Sequence, residues 1–589
     1  MSRRAMLILS CIAVVALACA PLLFSSFTIS LFNYVGIYAL VAIGLALLTG
    51  VAGIVSFGQA AFVGVAAYAT AWASALNGYS PWLGLLLAIV LTCAVAAVLG
   101  AATLRLEGHF LSLSTLAWGL AIGFLFGNIE GLGNFSGISN IPPIRIGGHA
   151  LMKSEEIYYL ILLIVVLSLV AMYNLLDSRW GRALRALRGG NVLVESLGVN
   201  AFQTKLAAFV IAAFLAALSG WLYAHMSRFV SPASFDAAMG IEYLMMAMVG
   251  GQGSLIGGVV GASIITFLKN AIQDYLPLIS PNAAGQLEVV AFAAIFIVFL
   301  QYARRGVVPF IAARLPSARP TTPASAAALD MRTQPKAGAP LLKVDQAMRR
   351  FGGLIAVNAV SFDVRAGEIV GLIGPNGAGK STMFNLLTGA LKLDGGAIEF
   401  SGLPIHGAPQ RAIARAGIAR TFQHVKLRPR MSVLDNVLLG AHGRLQSGIV
   451  RGMLRLDRTE EARARAEAMR QLERTGLAEH AFDAAGSLPL GKQRLVEIAR
   501  ALAADPTLLV LDEPAAGLRR NEKMELATLL RELRADKLTV LLVEHDMEFV
   551  MSLVDRIVVM DFGSKISEGL PAEVRADPRV QEAYLGGVA

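Results

Sequence analysis

The sequence predicts two folds in series: an α-helical polytopic membrane domain over residues 1–310, then, beyond a linker at 311–340, an α/β P-loop domain with a helical subdomain over 341–589. Three observations predict it. Charge is segregated, with 24 of the 92 Asp, Glu, Lys and Arg residues in 1–310 and 68 in the rest. The first part is a succession of apolar stretches, which carries the chain to 56% hydrophobic residues and a mean hydropathy of +0.61, far above a soluble average. Residues 374–382 read Gly-Pro-Asn-Gly-Ala-Gly-Lys-Ser-Thr, a glycine-rich loop of the type that cradles phosphates.

Stretches suited to crossing a bilayer lie near 6–24, 29–50, 60–77, 82–104, 109–127, 157–176, 206–226, 240–268 and 285–303. Each approaches the ~20 residues that cross a hydrocarbon core, giving about 8–10 spans. The first also resembles a signal peptide, because Arg3 and Arg4 precede it and Ala18-Cys19-Ala20 resembles a cleavage site; Pro21 favours a retained anchor. Arg3 and Arg4 set the N-terminus in the cytoplasm. Six spans then return the chain there for 177–205, which carries Arg179, Arg182, Arg185, Arg188 and Lys205, and Arg304 and Arg305 end the membrane part on the same side. Parity requires an even number of crossings between those points. The overlong stretch 240–268, interrupted by Gly250-Gly251-Gln252-Gly253, therefore reads as two short spans or a broken re-entrant helix. Gly253, Gly257 and Gly261 are expected along one helical face for close packing. Gln59, Asn134 and Asn140 are polar candidates near spans, each equally explained by satisfying backbone groups.

The net charge of +10 reflects this positive-inside pattern and no basic run interleaved with aromatics, so no nucleic-acid partner is expected. Cys11, Cys19 and Cys93 all lie in apolar stretches without metal-ligand spacing, which supports neither a disulfide scaffold nor a zinc site. The segment 177–205 reads either as a solvated loop or as a short helix docking on another domain. Residues 311–340, rich in Pro, Ala, Ser and Thr, read as a tether spanning on the order of 30 Å.

In the last part, Gly367-Glu-Ile-Val-Gly-Leu-Ile373 reads as a buried strand feeding the loop, and a helix opens near Gly379. Gly374, Pro375, Asn376, Gly377, Ala378 and Gly379 supply backbone N–H groups to phosphates. Lys380 reaches the β- and γ-phosphates, and Ser381, followed by Thr382, ligates Mg²⁺. A second stretch, Thr507-Leu-Leu-Val-Leu-Asp512-Glu513-Pro514, reads as a core strand that delivers Asp512 for the metal and Glu513 to polarise the attacking water.

These residues resemble an ABC-transporter ATPase subunit of the branched-chain amino acid importer type over about 341–589, an α/β P-loop ABC ATPase domain. By that resemblance Gln423 in Arg420-Thr-Phe-Gln423 senses the γ-phosphate and metal, His545 is the switch histidine, and Phe351 stacks on adenine, a core phenylalanine being the alternative. Leu488-Pro489-Leu490-Gly491-Lys492-Gln493-Arg494 resembles the family signature, which binds nucleotide held by another ATPase domain. Two departures stand out. Pro489 and Leu490 replace the usual Ser and Gly before Gly491, and Arg519 replaces the usual acidic or amide residue.

The membrane part resembles the permease of the same family over most of 30–305. It does so through Ser56-Phe-Gly-Gln-Ala-Ala-Phe-Val-Gly, Thr103-Leu-Arg-Leu-Glu-Gly-His, the 181–200 loop and Gly250-Gly-Gln-Gly-Ser-Leu-Ile-Gly-Gly. That resemblance makes 189–200 a coupling helix and implies ATP-driven, Mg²⁺-dependent import of branched-chain or related amino acids across the bacterial inner membrane, with the ATPase cytoplasmic. The implied partners are a second permease subunit, a second ATPase subunit, an extracytoplasmic solute-binding protein, the lipid bilayer and a small-molecule solute. Alternatives are a homodimer, an importer of urea, amides or other small solutes, and a non-transporting membrane-tethered regulatory ATPase.

Overall fold

The computed structural model describes residues 3–106, 108–279, 286–303, 305–314 and 326–585; Arg304 and linker residues 315–325 lie outside them. The chain divides into two compact units. One is Met1–Leu176 with Phe202–Arg319, the other Asp177–Ala201 with Pro320–Ala589.

The first unit is helical. α1 (Arg3–Ala18) and the short α2 (Ala20–Leu23) break at Cys19, and Pro21 sits in the first turn of α2, where its missing N–H costs nothing. Then come α3 (Ser26–Leu45), α4 (Gln59–Ala71), α5 (Pro81–Thr103), α6 (His109–Asn128), the small hairpin β1 (Arg145–Ile146) and β2 (His149–Ala150), and α7 (Ser154–Asp177). α8 (Arg179–Ala186) and α9 (Asn191–Ser196) group with the second unit. α10 (Ala201–Ser227), α11 (Ala237–Gly250), α12 (Leu255–Ile279), α13 (Gln286–Tyr302) and α14 (Val307–Ala312) complete the first. Among the described residues seven helical stretches are long and apolar enough to cross a membrane: α3 continued to Ala52, α4 continued to Leu76, α5, α6, α7, α10 and α12.

α5 shows how such a helix is sorted. Gly84, Ala88, Thr92, Ala96 and Gly100 recur every four residues and are buried, while Leu83, Leu86, Val90 and Val98 are exposed. A soluble helix does the reverse. Here small residues admit close helix approach and the large apolar ones are left for lipid.

The stretch 240–268 is two helices, α11 and α12, joined by a turn in which Gly251 and Gly253 have φ of 130° and 82°. A Cβ on Gly250 would lie 1.6 Å from the Gly257 carbonyl oxygen, and one on Gly261 1.8 Å from that of Met246. The two backbones therefore touch. Gly257 and Gly261 pack as expected, whereas Gly253 belongs to the turn, because its left-handed φ ends the helical repeat. Gln59 is buried with neither amide atom bonded, while Asn134 and Asn140 take positive φ in exposed turns.

The second unit has two sheets. The antiparallel one comprises β3 (Pro340–Phe351), β4 (Leu354–Arg365), β6 (Gly395–Phe400) and β7 (Leu403–Pro404), in the order β4-β3-β6-β7. The main one adds β5 (Ile369–Ile373), β8 (Ile418–Arg420), β9 (Leu508–Asp512), β10 (Thr539–Val543), β11 (Arg556–Asp561) and β12 (Ser564–Gly569), in the order β12-β11-β5-β10-β9-β8. All its pairings are parallel except β11 with β12. Every residue of β5, β9 and β10 is buried, as unbroken apolar runs in a two-sided parallel sheet must be.

α15 (Lys380–Leu387) follows β5. The helical subdomain is built from α16 (Gln410–Ala416), α17 (Val433–Gly440), α18 (Ile449–Met453), α19 (Arg458–Arg474) and α20 (Leu490–Ala503), and α21 (Arg520–Ala535) and α22 (Met547–Met551) return to the main sheet. Val437, Leu438, Ala468, Leu472, Val496 and Ala503 form the subdomain's own core.

α8 and α9 lie in this subdomain. Arg182, buried, donates twice to the Glu461 carboxylate at 2.8 and 2.9 Å, and Trp180 Nε1 donates to the Ser447 carbonyl. Residues 328–334, within the expected tether, are also held. The Arg332 guanidinium donates to the carbonyls of Ala416 and Arg415, and Arg463 pairs with Asp330.

Candidate functional site

Three adjacent parallel strands, β5, β10 and β9, end side by side, and each delivers site residues at its carboxyl end. β5 runs into the loop 374–379, whose backbone curls because Gly374, Gly377 and Gly379 take φ of 154°, 85° and 93°. Gly379 shows why no side chain fits. A Cβ there would lie 2.2 Å from the Ala356 carbonyl oxygen, on a backbone that L-residues avoid. Gly379→Ala is expected to weaken ATP binding by about tenfold or more, read by titration with a fluorescent nucleotide.

Pro375 is half-buried, Asn376 exposed and Ala378 buried. Lys380 opens α15, and its ammonium donates to the carbonyls of Gly374 and Pro375 at 2.7 and 2.9 Å, closing the loop on itself. Burial lowers its pKa, and the charges of Glu513 and Asp512 push back. Ser381 is exposed and Thr382 half-buried on the first turn of α15. A glycine loop at a helix start, backed by an ammonium, fits a nucleotide polyphosphate.

β9 ends on Asp512 and Glu513. Asp512 is buried, and its Oδ1 has no hydrogen-bond partner. Burial pushes its carboxyl up to about 6 against the pull of Arg420, with Glu513 adding to the rise. Glu513 has φ of 46°, rare for a non-glycine residue and a point of strain, and its N–H is anchored on the Val543 carbonyl at 2.8 Å. Gln423 Nε2 donates to Glu513 Oε2 at 3.0 Å, and His545 Nδ1 lies 3.7 Å from the same oxygen. The fold thus gathers Lys380, Gln423, Asp512, Glu513 and His545 around one point.

Phe351 ends β3 with its ring exposed and the Arg349 guanidinium 4.9 Å from its centroid, so it is no core residue. Pro489, Leu490, Gly491, Lys492 and Gln493 stand elsewhere, at the start of α20. Pro489 is the N-cap and is exposed, as is Leu490, and Gly491 is buried where a Cβ would meet Glu522. Lys492 bonds His480 and Gln493 bonds the Leu488 carbonyl. Arg519 caps α21, its N–H donating to Glu522.

Five side chains around the site carry no role in the sequence reading. Arg494 reaches from α20 to the carbonyls of Phe422 and Gln423, at 2.9 Å to the first, and so fixes the backbone that carries Gln423. Arg500 and Glu497, both buried, pair at 2.9 Å and bond the carbonyl and N–H of Lys426. Glu544, fully buried, accepts from the N–H groups of Ala515 and His545 at 2.7 and 3.1 Å and so ties the turn after Glu513 to the histidine; burial raises its pKa. Arg420 lies between the rings of Phe384 and Phe422, and burial lowers its pKa to about 10.

Comparison with known proteins adds to this geometry. A family model described as branched-chain amino acid transport system / permease component matches residues 27–300, one described as ABC transporter matches 357–516, and one described as branched-chain amino acid ATP-binding cassette transporter matches 564–589. The high-affinity branched-chain amino acid transport ATP-binding protein LivG of Salmonella typhimurium is 48% identical over 250 residues, 42% of this chain and 98% of that protein. BraF of Pseudomonas aeruginosa, of the same description, is 44% identical over the same shares. A crystal structure of a nucleotide-free ATP-binding cassette from an ABC transporter is 33% identical, covers 42% of this chain and 100% of that one, and aligns with a TM-score of 0.38. The chain therefore belongs to the branched-chain amino acid ABC transporter family and joins a permease component and an ATP-binding cassette in one polypeptide.

Proposed function

We propose that this protein imports branched-chain or related amino acids across a bacterial inner membrane at the expense of ATP, as the combined permease and ATPase subunit of a binding-protein-dependent transporter. The observation that carries this reading is the meeting of Lys380, Gln423, Asp512, Glu513 and His545 at the ends of β5, β8, β9 and β10, in a chain whose described residues include seven helices of membrane-crossing length. Loop 374–382 binds the phosphates and Phe351 stacks on adenine. Glu513 polarises water, with Gln423 and His545 beside it. Ser381, Asp512 and Gln423 hold Mg²⁺: the unpartnered Asp512 Oδ1 and its raised pKa fit a site that lacks compensating charge until a cation is present.

Pro489 to Gln493 serve nucleotide held by a second ATPase subunit, and a second permease completes the pore. Pro489 has no hydroxyl to offer, so the two ATP sites differ wherever the second ATPase subunit carries a serine at the matching position. The α8–α9 segment, locked to the subdomain by Arg182 and Glu461, conveys ATPase closure to the spans.

The Asp512 assignment gives a prediction with two opposite effects. A carboxyl raised from its usual value to about 6 carries a penalty that is absent below about pH 3.9 and complete above pH 6. This group therefore makes the nucleotide-free protein more stable as pH falls through that window. Asp512→Asn removes the penalty, so at pH 7.5 the nucleotide-free ATPase is expected to gain on the order of 2–3 kcal/mol while losing Mg²⁺-dependent hydrolysis, checked by thermal melting and phosphate release.

Vanadate-sensitive ATPase activity that rises when a leucine-loaded binding protein is added tests the function. Activity indifferent to any binding protein would instead mark a membrane-tethered regulatory ATPase, and stimulation by urea or amides alone would mark a different solute.

A further inference from the structure

The first unit contains a polar cleft that the import cycle described above does not use. It measures about 280 Å³ and is lined by Tyr38 of α3, Tyr223 of α10, Ser234 and Asp236 of the following loop, and Glu242 and Tyr243 of α11. Both oxygens of Glu242 accept from Lys269 of α12, at 2.8 and 3.0 Å. Charged groups on helices of this kind are costly and need a reason. This pair is not sealed in protein either, since its side chains are 22% and 43% exposed.

We propose that this cleft is a transit site for a free zwitterionic amino acid, in which Glu242 and Lys269 part to hold the solute's ammonium and carboxylate respectively. The charge count favours an incoming ammonium. Asp236 adds a second carboxylate to the lining, one oxygen of which caps α11 through the Met239 N–H, while Lys269 pairs with Glu242. Tyrosine faces add to the attraction. Tyr38 lies 5.6 Å from Tyr243 and 5.8 Å from Tyr34, and Tyr223 is 5.4 Å from Phe235. Exchange of the internal pair for a zwitterion gives both Glu242 and Lys269 an oppositely charged partner, which neither urea nor an amide achieves. The volume suits a solute of amino-acid size rather than a peptide. Tyr223 lies about 33 Å along α10 from Ala201, near the carboxyl end of that helix. Against Phe235, with centroids 6.4 Å apart, sits Tyr68, whose buried hydroxyl has no partner.

The inference rests on the import reading and deepens it to a class of solute and a place. Its test uses the transporter purified through a tag on this chain and reconstituted in phosphatidylcholine, which has no primary ammonium. Binding of radiolabelled L-leucine is measured with 3-methylbutylamine, which lacks the carboxylate, and 4-methylpentanoate, which lacks the ammonium, as competitors, and leucine uptake is measured in parallel. Each one-ended analogue is expected to compete at least tenfold less well than leucine. Glu242→Gln is expected to weaken leucine binding at least tenfold. Because that variant orphans Lys269, the double variant Glu242→Gln, Lys269→Met is tested as well; it removes both charges together and is expected to lose binding while remaining monodisperse. Leucine uptake by the double variant at the wild-type rate, or 4-methylpentanoate competing as well as leucine, overturns the cleft assignment alone. A wild-type complex that accumulates urea or acetamide and no amino acid overturns the import reading itself.

Discussion

Glu513→Gln lowers ATP turnover by about 10²–10⁴-fold and leaves nucleotide affinity within about twofold, the effect expected of losing a positioned base. The substitution keeps the shape of the side chain and an oxygen for the Gln423 amide, which donates to Glu513 at 3.0 Å. The backbone at this residue is held independently, by the N–H bond to the Val543 carbonyl. What disappears is the charge that orients water, at a position whose φ of 46° aims the side chain out of the strand register. Asp512 does not take over, because it is buried and is assigned to the metal. Phosphate release together with fluorescent-nucleotide binding separates the two quantities. Retention of a tenth or more of the wild-type rate would mean that another group acts as the base.

Glu497→Ala costs about 3–5 kcal/mol of stability, the second large effect expected. Glu497 and Arg500 are each 1% exposed, and deletion of the carboxylate leaves a guanidinium charge inside protein. Burial already lowers the Arg500 pKa and raises that of Glu497, so each ion depends on the other. The loss also frees Lys426, whose N–H and carbonyl the pair holds at 2.8 Å each, three residues beyond Gln423. Expected are a fall of roughly 10 °C in the melting transition of the ATPase unit and a weaker response of hydrolysis to solute. The double variant Glu497→Leu, Arg500→Met, which leaves no orphan charge, recovers most of the melting temperature. A single variant that melts within 2 °C of wild type, as an order-of-magnitude bound, would show that the pair is not under load.

The proposed site residues could be singled out in the sequence because each belongs to a local motif at a strand end. The apolar runs of β5 and β9 announce buried strands, and a loop or an acidic pair follows at once. Six expected spans, from 29–50 to 206–226, recur among the described residues as helices of crossing length, whereas those at 6–24 and 285–303 fall on the shorter α1 and α13, and the split of 240–268 into α11 and α12 needed the φ values of Gly251 and Gly253, which composition only hints at. Arg494, Glu497 and Arg500 were not legible as supports. Their partners lie some 70 positions away, and nothing in α20 names them. The one local clue is a charged pair three apart among Val496, Ile498, Ala499 and Leu502, all of which face inward. Glu544 carries a similar clue, an acid at the end of an unbroken apolar strand. The cleft around Glu242 was invisible, because α3, α10, α11 and α12 meet there from positions more than 200 residues apart.

The central claim is that one polypeptide burns ATP and moves a solute. The measurement that tests it most directly is L-leucine accumulation in proteoliposomes holding the purified complex, with ATP on the side of the ATPase unit and a loaded binding protein on the other. Accumulation that requires both ATP and the binding protein, and that is lost on Lys380→Ala, is the predicted result. ATP hydrolysis of undiminished rate without accumulation of leucine, isoleucine or valine would contradict it.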